Sequence, residues 1–315
     1  TEHRAGGTRT RARRRPPPQP GRYGFHGATG SVGPHRARSG SARRALCHAR
    51  IVRVGDLPTP ALVVDGGTLA ANLDLMAAAL PGRRLRPHVK AHKCTALARE
   101  QAARGHTGLT VATPREALGL AAAGLGDDLL VANQVLDPVR LTALATCGAR
   151  VTVAVDSEAT IDAAARAGIR EVLIDVSVGM PRCGCAPADA ARVADRARAA
   201  GLTVRGIMGY EVHVVGIPDR TERANGVAAA TAILAAAHAE VGGEVISSGG
   251  TTTYDLHTVA TEIQAGSYAL MDTAYGAFGL PFAPALAITA TVLHVGPRHA
   301  VADCGLKAHA MDHGD

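Results

Sequence analysis

From Ile51 onward the chain repeats one unit: a short β-rich run, a loop, an Ala-rich helical stretch and a Gly stop. The β runs fall at 84–90, 108–113, 128–133, 150–156, 171–177, 203–210, 244–248 and 267–271. Helical stretches between them include 114–123, 138–146, 157–167, 187–200 and 220–241. Pro114, Pro138 and Pro187 suit the first helical turn, where a missing N–H costs nothing. Gly105, Gly124, Gly148, Gly168 and Gly201 stand where helix C-caps are expected. Repeated β–α units require a parallel sheet covered by helices, and eight of them can close into an α/β barrel of the TIM (β/α)8 type. An open doubly wound sheet is the competing arrangement, because closure is invisible in a sequence.

Three flanking regions break the repeat. Residues 1–48 contain Arg13-Arg14-Arg15 and Pro16-Pro17-Pro18 with no hydrophobic period, and are expected to be a disordered Arg/Pro-rich leader. A transit peptide or nucleic-acid arm is the other reading, but no amphipathic face accompanies the arginines. Residues 61–65 read as a strand and 69–80 as an amphipathic helix ahead of the first unit. After Tyr275, residues 286–295 and 299–303 alternate like antiparallel strands. The expected organisation is a barrel over 51–278, followed by a partial C-terminal β domain over 279–315 to which strand 61–65 contributes.

The net charge of +7 is unevenly placed. The first fifty residues hold twelve Arg and one Glu, whereas the rest carries 22 basic against 26 acidic side chains. The folded part is mildly acidic and offers no nucleic-acid surface. No run reaches the ~18 consecutive apolar residues of a membrane span, so no membrane partner is expected. Six cysteines lack CxxC pairing, and no apolar leader precedes the fold, which makes the cytoplasm the expected compartment.

Function in such a barrel belongs to the C-terminal ends of the strands and the loops after them. Read in order, those ends present Lys90, Thr113, Asn133, Ser177 with Arg182, Tyr210, the cluster 247–253, and Gly266-Ser267-Tyr268. Paired carboxylates of a glycosidase and HExxH metal boxes are missing from this set. The chain uses 31 Arg but only three Lys, at 90, 93 and 307. Where guanidinium suffices the sequence writes Arg, so a retained Lys suggests a primary amine that must lose its proton and attack a carbonyl. Lys90 ends a strand among other cations, which lowers an amine's pKa, whereas Lys93 suits an ordinary solvated lysine. The Ser248-Gly249-Gly250-Thr251 turn lies where barrels commonly hold phosphates, after strands seven and eight. A Schiff-base lysine facing a phosphate cup implies a phosphorylated aldehyde, of which pyridoxal 5'-phosphate is the foremost. A Schiff-base aldolase acting on sugar phosphates is the alternative independent of any resemblance.

The motifs DLPTP (56–60), RPHVKAHK (86–93), VATPREA (111–117), VANQV (131–135), VGMPRCG (178–184), GYEVH (209–213), SGGTTTYD (248–255), QAGSYALMD (264–272) and DCGLKA (303–308) carry a resemblance. From about Asp56 the chain resembles the fold-type III pyridoxal-phosphate enzymes with an alanine racemase barrel, in the D-threonine aldolase and D-serine dehydratase branch. The resemblance implies that Lys90 carries the cofactor. Gly249, Gly250, Thr251, Gly266 and Ser267 match phosphate-holding segments, with Ser248 and Tyr268 beside them. Arg182 matches the arginine near the cofactor's phenolic oxygen or the substrate carboxylate, and Tyr210 a position flanking the ring. His88 and His92 would line the pocket mouth.

The implied activity is a lyase acting on D-configured 3-hydroxy amino acids, D-threonine aldolase-like, with catalytic residues Lys90, Arg182 and Tyr210. A D-serine dehydratase, a D-amino-acid racemase and a non-catalytic pyridoxal-phosphate carrier are the alternatives. A homodimer and a divalent metal ion, Mn or Zn, also follow from the resemblance, with metal ligands expected beyond Asp315. His313 and Asp315 stand too close to DCGLKA to be that pair, and Cys183 with Cys185 lacks the further ligands of a zinc site. Two departures are visible: Ser177 where relatives often carry an acid, and Val212 where a small residue is usual.

Overall fold

The structure, a computed structural model, describes residues 53–308. The leader at 1–48 and the residues His313 and Asp315 lie outside them. The chain enters through β1 (Ala61–Val64), α1 (Gly66–Ala79) and α2 (Thr95–Ala103). Alternation follows: β2 (Gly108–Val111), α3 (Pro114–Ala122), β3 (Asp128–Val131), α4 (Pro138–Thr146), β4 (Val151–Val155), α5 (Glu158–Arg166) and β5 (Glu171–Asp175). Then come α6 (Ala190–Ala199), β6 (Thr203–Met208), α7 (Val212–Val215), α8 (Arg220–Val241), β7 (Val245–Ser248) and β8 (Glu262–Ile263). Thr113, Asp137, Ser157 and Asp219 cap α3, α4, α5 and α8 with side-chain oxygens that accept first-turn N–H groups.

Strands β2 to β8 form one parallel sheet in chain order. The expected first strand, 84–90, appears as two parallel bridges, Leu85 to Ile263 and His88 to Thr110. The N–H groups of Arg86 and His88 donate to the carbonyls of Ile263 and Ala265, each at 2.9 Å. The Pro87 carbonyl accepts the Thr110 N–H at 2.9 Å. Residues 85–88 therefore bond to both ends of the seven-stranded sheet and close the ring. Pro87 is tolerated because only its carbonyl is needed at that step.

The eighth strand differs from expectation. Residues 267–271 are not a strand: Ser267–Ala269 form a 3₁₀ turn, and the strand is the earlier, two-residue β8. Its neighbours disguise it. Glu262 pairs with Arg86 and Gln264 donates to Ser247 Oγ at 2.9 Å, so a buried strand reads as polar. The apolar run at 268–271 is explained by a separate cluster, in which Tyr268, Ala269 and Met271 pack with Leu73, Met76 and Phe282.

Alternate residues divide the barrel into an outer and an inner core. Leu129, Val131, Val153, Val155, Val172 and Ile174 face the helices. Leu130, Ala154, Leu173 and Met208 cluster inside the ring. Below this apolar layer, at the N-terminal ends of the strands, lies an ionic one. Asp128 accepts from Arg205 at 2.9 Å and from Arg86 at 2.7 Å, Arg86 meets Glu262 at 2.8 Å, and Arg205 donates to Thr152 Oγ1 at 2.8 Å. Gly108 gives the Arg86 guanidinium its room, since a Cβ there would approach it to 3.0 Å. Burial by itself would raise the Asp128 pKa, but Arg205 and Arg86 outweigh it and hold the carboxyl at about 2.

Helix α8 is long and apolar enough by composition to cross a membrane. In the fold its Val227, Ala230, Leu234, Ala237 and Val241 are buried, and the helix packs on β6 and α6. Beyond the barrel, β9 (Leu286–Thr289) pairs antiparallel with β1, and β10 (Val292–Val295) pairs antiparallel with β11 (Ala300–Ala302). These small sheets leave Leu62, Val292, Leu293 and Val295 exposed.

Asp128→Asn removes the carboxylate that two buried guanidinium groups share, leaving Arg86 with Glu262 and Arg205 with Glu244, and is expected to lower the unfolding free energy at pH 7 by about 2–3 kcal/mol, read by urea denaturation. The folded pKa lies below the unfolded one, so this stability is present above about pH 4 and lost as pH falls through about 2. The gap between wild type and variant therefore narrows on acidification; equal stability at pH 7 would contradict the ionic layer.

Candidate active site

At the opposite end of the ring a cavity of about 250 Å³ opens among the C-terminal ends of the strands. His88, Lys90, Asn133, Arg182, Tyr210 and Gly249 are among its lining residues. Lys90 sits in the 3₁₀ turn Val89–Ala91, immediately after the segment that closes the ring. Its own N–H donates to His88 Nδ1 at 3.4 Å, and its Nζ lies 5.3 Å from the centroid of the Tyr210 ring. Lys90 remains exposed at the cavity mouth. Its amine pKa is nonetheless lowered, first by desolvation of the charged head and then by Arg182, with Glu116 opposing and Lys93 reinforcing. His88 is buried and its pKa falls well below the ordinary value, because burial and the cations Lys90 and Lys93 disfavour a charged ring. Lys93 is engaged elsewhere, in an ion pair with Glu116.

Arg182 reaches the cavity from the loop after β5. Two contacts clasp that loop: Val176 and Cys185 form a parallel bridge, and the Gly184 N–H donates to Asp156 Oδ2 at 3.0 Å. Ser177 lies at its root, donating its N–H to the Cys185 carbonyl at 2.9 Å. Asp175 is buried there, accepts from Gln134 Nε2 at 2.7 Å, and has its pKa pushed up to about 6. Desolvation is the main cause; Asp156 adds to it, and Gln134 and Arg182 oppose it.

Across the cavity the turn after β7 brings Gly249 to the wall in a left-handed conformation, φ +81°. A side chain there would meet Ile263 and His257 at about 3 Å. Its N–H, and those of Thr251 and Thr252, have no acceptor among the described residues. Gly250 packs beside the Tyr210 hydroxyl. Gly266 lies against the Lys90 segment so closely that a Cβ would come within 2.5 Å of the His88 carbonyl. Ser267, half-buried, begins the following 3₁₀ turn. Tyr268 is not brought to the cavity by its ring, which is fully buried in the second cluster with its hydroxyl accepting from Gln101 at 3.0 Å. Ser248 is buried, its hydroxyl donating to the Gly209 carbonyl at 2.7 Å. His92 is turned toward Gln101, 3.3 Å from its Oε1, and does not line the cavity.

The donor set suits one kind of molecule. An amine with lowered proton affinity suits an aldehyde, an aromatic face stands beside it, and the unpaired Gly249 N–H on the same cavity wall suits an anion. Pyridoxal phosphate combines these features, and the residues present fit it. The alanine racemase N-terminal domain model matches residues 64–274. The chain belongs to that family.

As a member of the alanine racemase N-terminal domain family it has the fold of pyridoxal-phosphate-dependent enzymes of fold type III. It is 34% identical over 283 residues to a D-threonine aldolase of Arthrobacter sp, covering 81% of this chain and 74% of that protein. A crystal structure of D-threonine aldolase from Filomicrobium marinum superposes with a TM-score of 0.78 at 32% identity, covering 83% of this chain and 77% of that one. D-threo-3-hydroxyaspartate dehydratase from Delftia sp. HT23 follows at 0.69 and 28% identity, covering 75% and 68%.

Among the residues around this family site, sequence reasoning passed over Gln264 on the wall, and Asp175, Gln134, Glu211 and His257 behind it. The strand-end rule points to Asp175, but a lone carboxylate there carries no further signal. Asp175→Asn is expected to raise stability at pH 7.5 by roughly 1–3 kcal/mol, because a charged, desolvated carboxylate is removed. The folded pKa of about 6 exceeds the unfolded value, so the native state is favoured by protonation and loses that advantage as pH rises through 6. The gain should vanish below about pH 4 in urea titrations at the two pH values; a variant less stable than wild type at pH 7.5 would refute this reading of Asp175.

Proposed function

We propose that this protein is a pyridoxal-phosphate-dependent lyase that cleaves D-configured 3-hydroxy amino acids to glycine and an aldehyde. One observation carries the reading: the Lys90 amine and the Gly249 turn wall the same cavity. The likeness to D-threonine aldolases supports the substrate class and the direction of bond cleavage.

Pyridoxal phosphate, when bound, supplies an electron sink for the bond broken at Cα. The chain supplies the rest. Lys90, its proton affinity lowered, offers Nζ as the nucleophile that would hold the cofactor; once displaced, Nζ is a free base that could take up the proton the β-hydroxyl gives up as the aldehyde leaves and deliver a proton to Cα. Arg182 puts a fixed positive charge at the cavity wall for an anionic oxygen. Neutral His88 adds no competing charge beneath it. Tyr210 covers the amine with its ring, and burial keeps its hydroxyl protonated by raising its pKa.

The divalent ion implied by the family has no ligand set among the described residues, where no group of three or more His, Cys, Asp or Glu side chains could hold one. No step is routed through it. The homodimer belongs to the same proposal, and sizing of the purified protein tests it.

The purified protein should show a near-visible band that borohydride bleaches. Lys90→Ala should lose the band and about a thousandfold or more of the activity on D-threonine. Glycine and acetaldehyde as products support the aldolase; 2-oxobutanoate and ammonia would replace it with the dehydratase. A bleachable band of full intensity in Lys90→Ala would overturn the assignment of the amine.

A further inference from the structure

Directly after Tyr210 the chain buries a carboxylate completely: Glu211 has no exposed surface. Its Oε1 accepts from Thr253 Oγ1 at 2.7 Å and from His257 Nε2 at 2.9 Å, and its Oε2, 3.1 Å from Ser248 Oγ, shares that hydroxyl's one proton with the Gly209 carbonyl. Ser248 and Thr253 stand at the two ends of the glycine turn, and His257 follows it. Thr253 Oγ1 in turn accepts the Gly250 N–H at 3.0 Å, so one hydroxyl links the carboxylate to the backbone of the turn. The other hydroxyls have internal partners as well. Thr251 Oγ1 accepts the Tyr268 N–H at 3.1 Å, and Thr252 Oγ1 donates to the Val215 carbonyl at 2.8 Å.

A buried carboxylate is strongly unfavourable unless donors surround it. Here burial pushes the Glu211 pKa up, but the bonds from His257 and Thr253 bring it below the ordinary carboxylate value. Facing a phosphate directly, such a charge would repel it. Set behind the turn it acts only as an acceptor, for Thr253, His257 and in part Ser248, and fixes which way they point. The turn is then left with main-chain N–H groups, that of Gly249 on the cavity wall, and the Thr251 hydroxyl proton as its free donors.

We propose that Glu211 is a positioning residue for the anion-binding turn. It anchors Ser248, Thr253 and His257 from behind, so that backbone N–H groups grip the phosphate while the hydroxyls of Ser248 and Thr251 brace the turn. This rests on the reading of the cavity as a pyridoxal-phosphate site.

The test compares two probes, pyridoxal phosphate and pyridoxal, titrated by absorbance into the full chain stripped of cofactor. Wild type should prefer the phosphorylated form. Glu211→Gln replaces an acceptor with a donor, and should cut that preference about tenfold or more while changing pyridoxal affinity less than about threefold. An unchanged preference in the folded variant overturns the proposal. Equal weakening of both probes also overturns it, since that marks a general structural role. If Glu211→Gln fails to fold, Thr253→Val breaks the link to Gly250 while leaving Glu211 two donors; a reduced preference supports the proposal and an unchanged one overturns it. Wild type that binds neither probe sinks the cofactor reading and this inference together, whereas a wild-type preference that the variants keep sinks the inference alone.

Discussion

The molecule depends on the hydrogen-bonded seam formed by residues 85–88. This short segment touches β8 on one side and β2 on the other, and without it the seven-stranded sheet would be an open arc. The seam is fastened at its foot by Arg86, whose guanidinium enters the ionic layer with Asp128 and Glu262. At its head it delivers Lys90 into the cavity. Gly266, packed on the His88 carbonyl, ties the head of the seam to the segment after β8. The position of the Lys90 amine is thus a consequence of ring closure.

Three layers stacked along the barrel axis divide the work. Ion pairs at the base fix strand positions at the expense of desolvation, the apolar layer of Leu130, Ala154, Leu173 and Met208 isolates them, and the cavity lies above. The cavity itself is polarised. Lys90, Arg182 and neutral His88 occupy one part, while carboxylates stay behind its walls, Asp175 under the Arg182 loop and Glu211 behind the glycine turn. Carboxylate charges, which would repel an anionic ligand, are thus kept out of the cavity lining.

Much of this was legible in the sequence because it follows periodicity and backbone chemistry. The helices at 138–146 and 220–241 coincide with α4 and α8, and Pro114 and Pro138 open their helices as the missing N–H suggests. Lys90 stood out because arginine is used almost everywhere else. What escaped notice was polar and buried. The strand β8 hid among Glu262 and Gln264, whose partners Arg86 and Ser247 are far away in sequence. Glu211 looks like an ordinary surface charge within GYEVH until Ser248, Thr253 and His257 are seen around it. Local patterns record what a residue is; only the tertiary fold records what neutralises it.

Lysine is scarce in this chain, so few amines compete for an electrophile. Lys93 has its ammonium tied to Glu116, while Lys90 stands at an open mouth with more of its free base present at neutral pH than a solvated lysine would have. An amine-directed reagent bearing an anionic arm would therefore discriminate by proton affinity and by shape at once. Of the three lysines, Lys90 is the one the fold sets in the lining of this cavity.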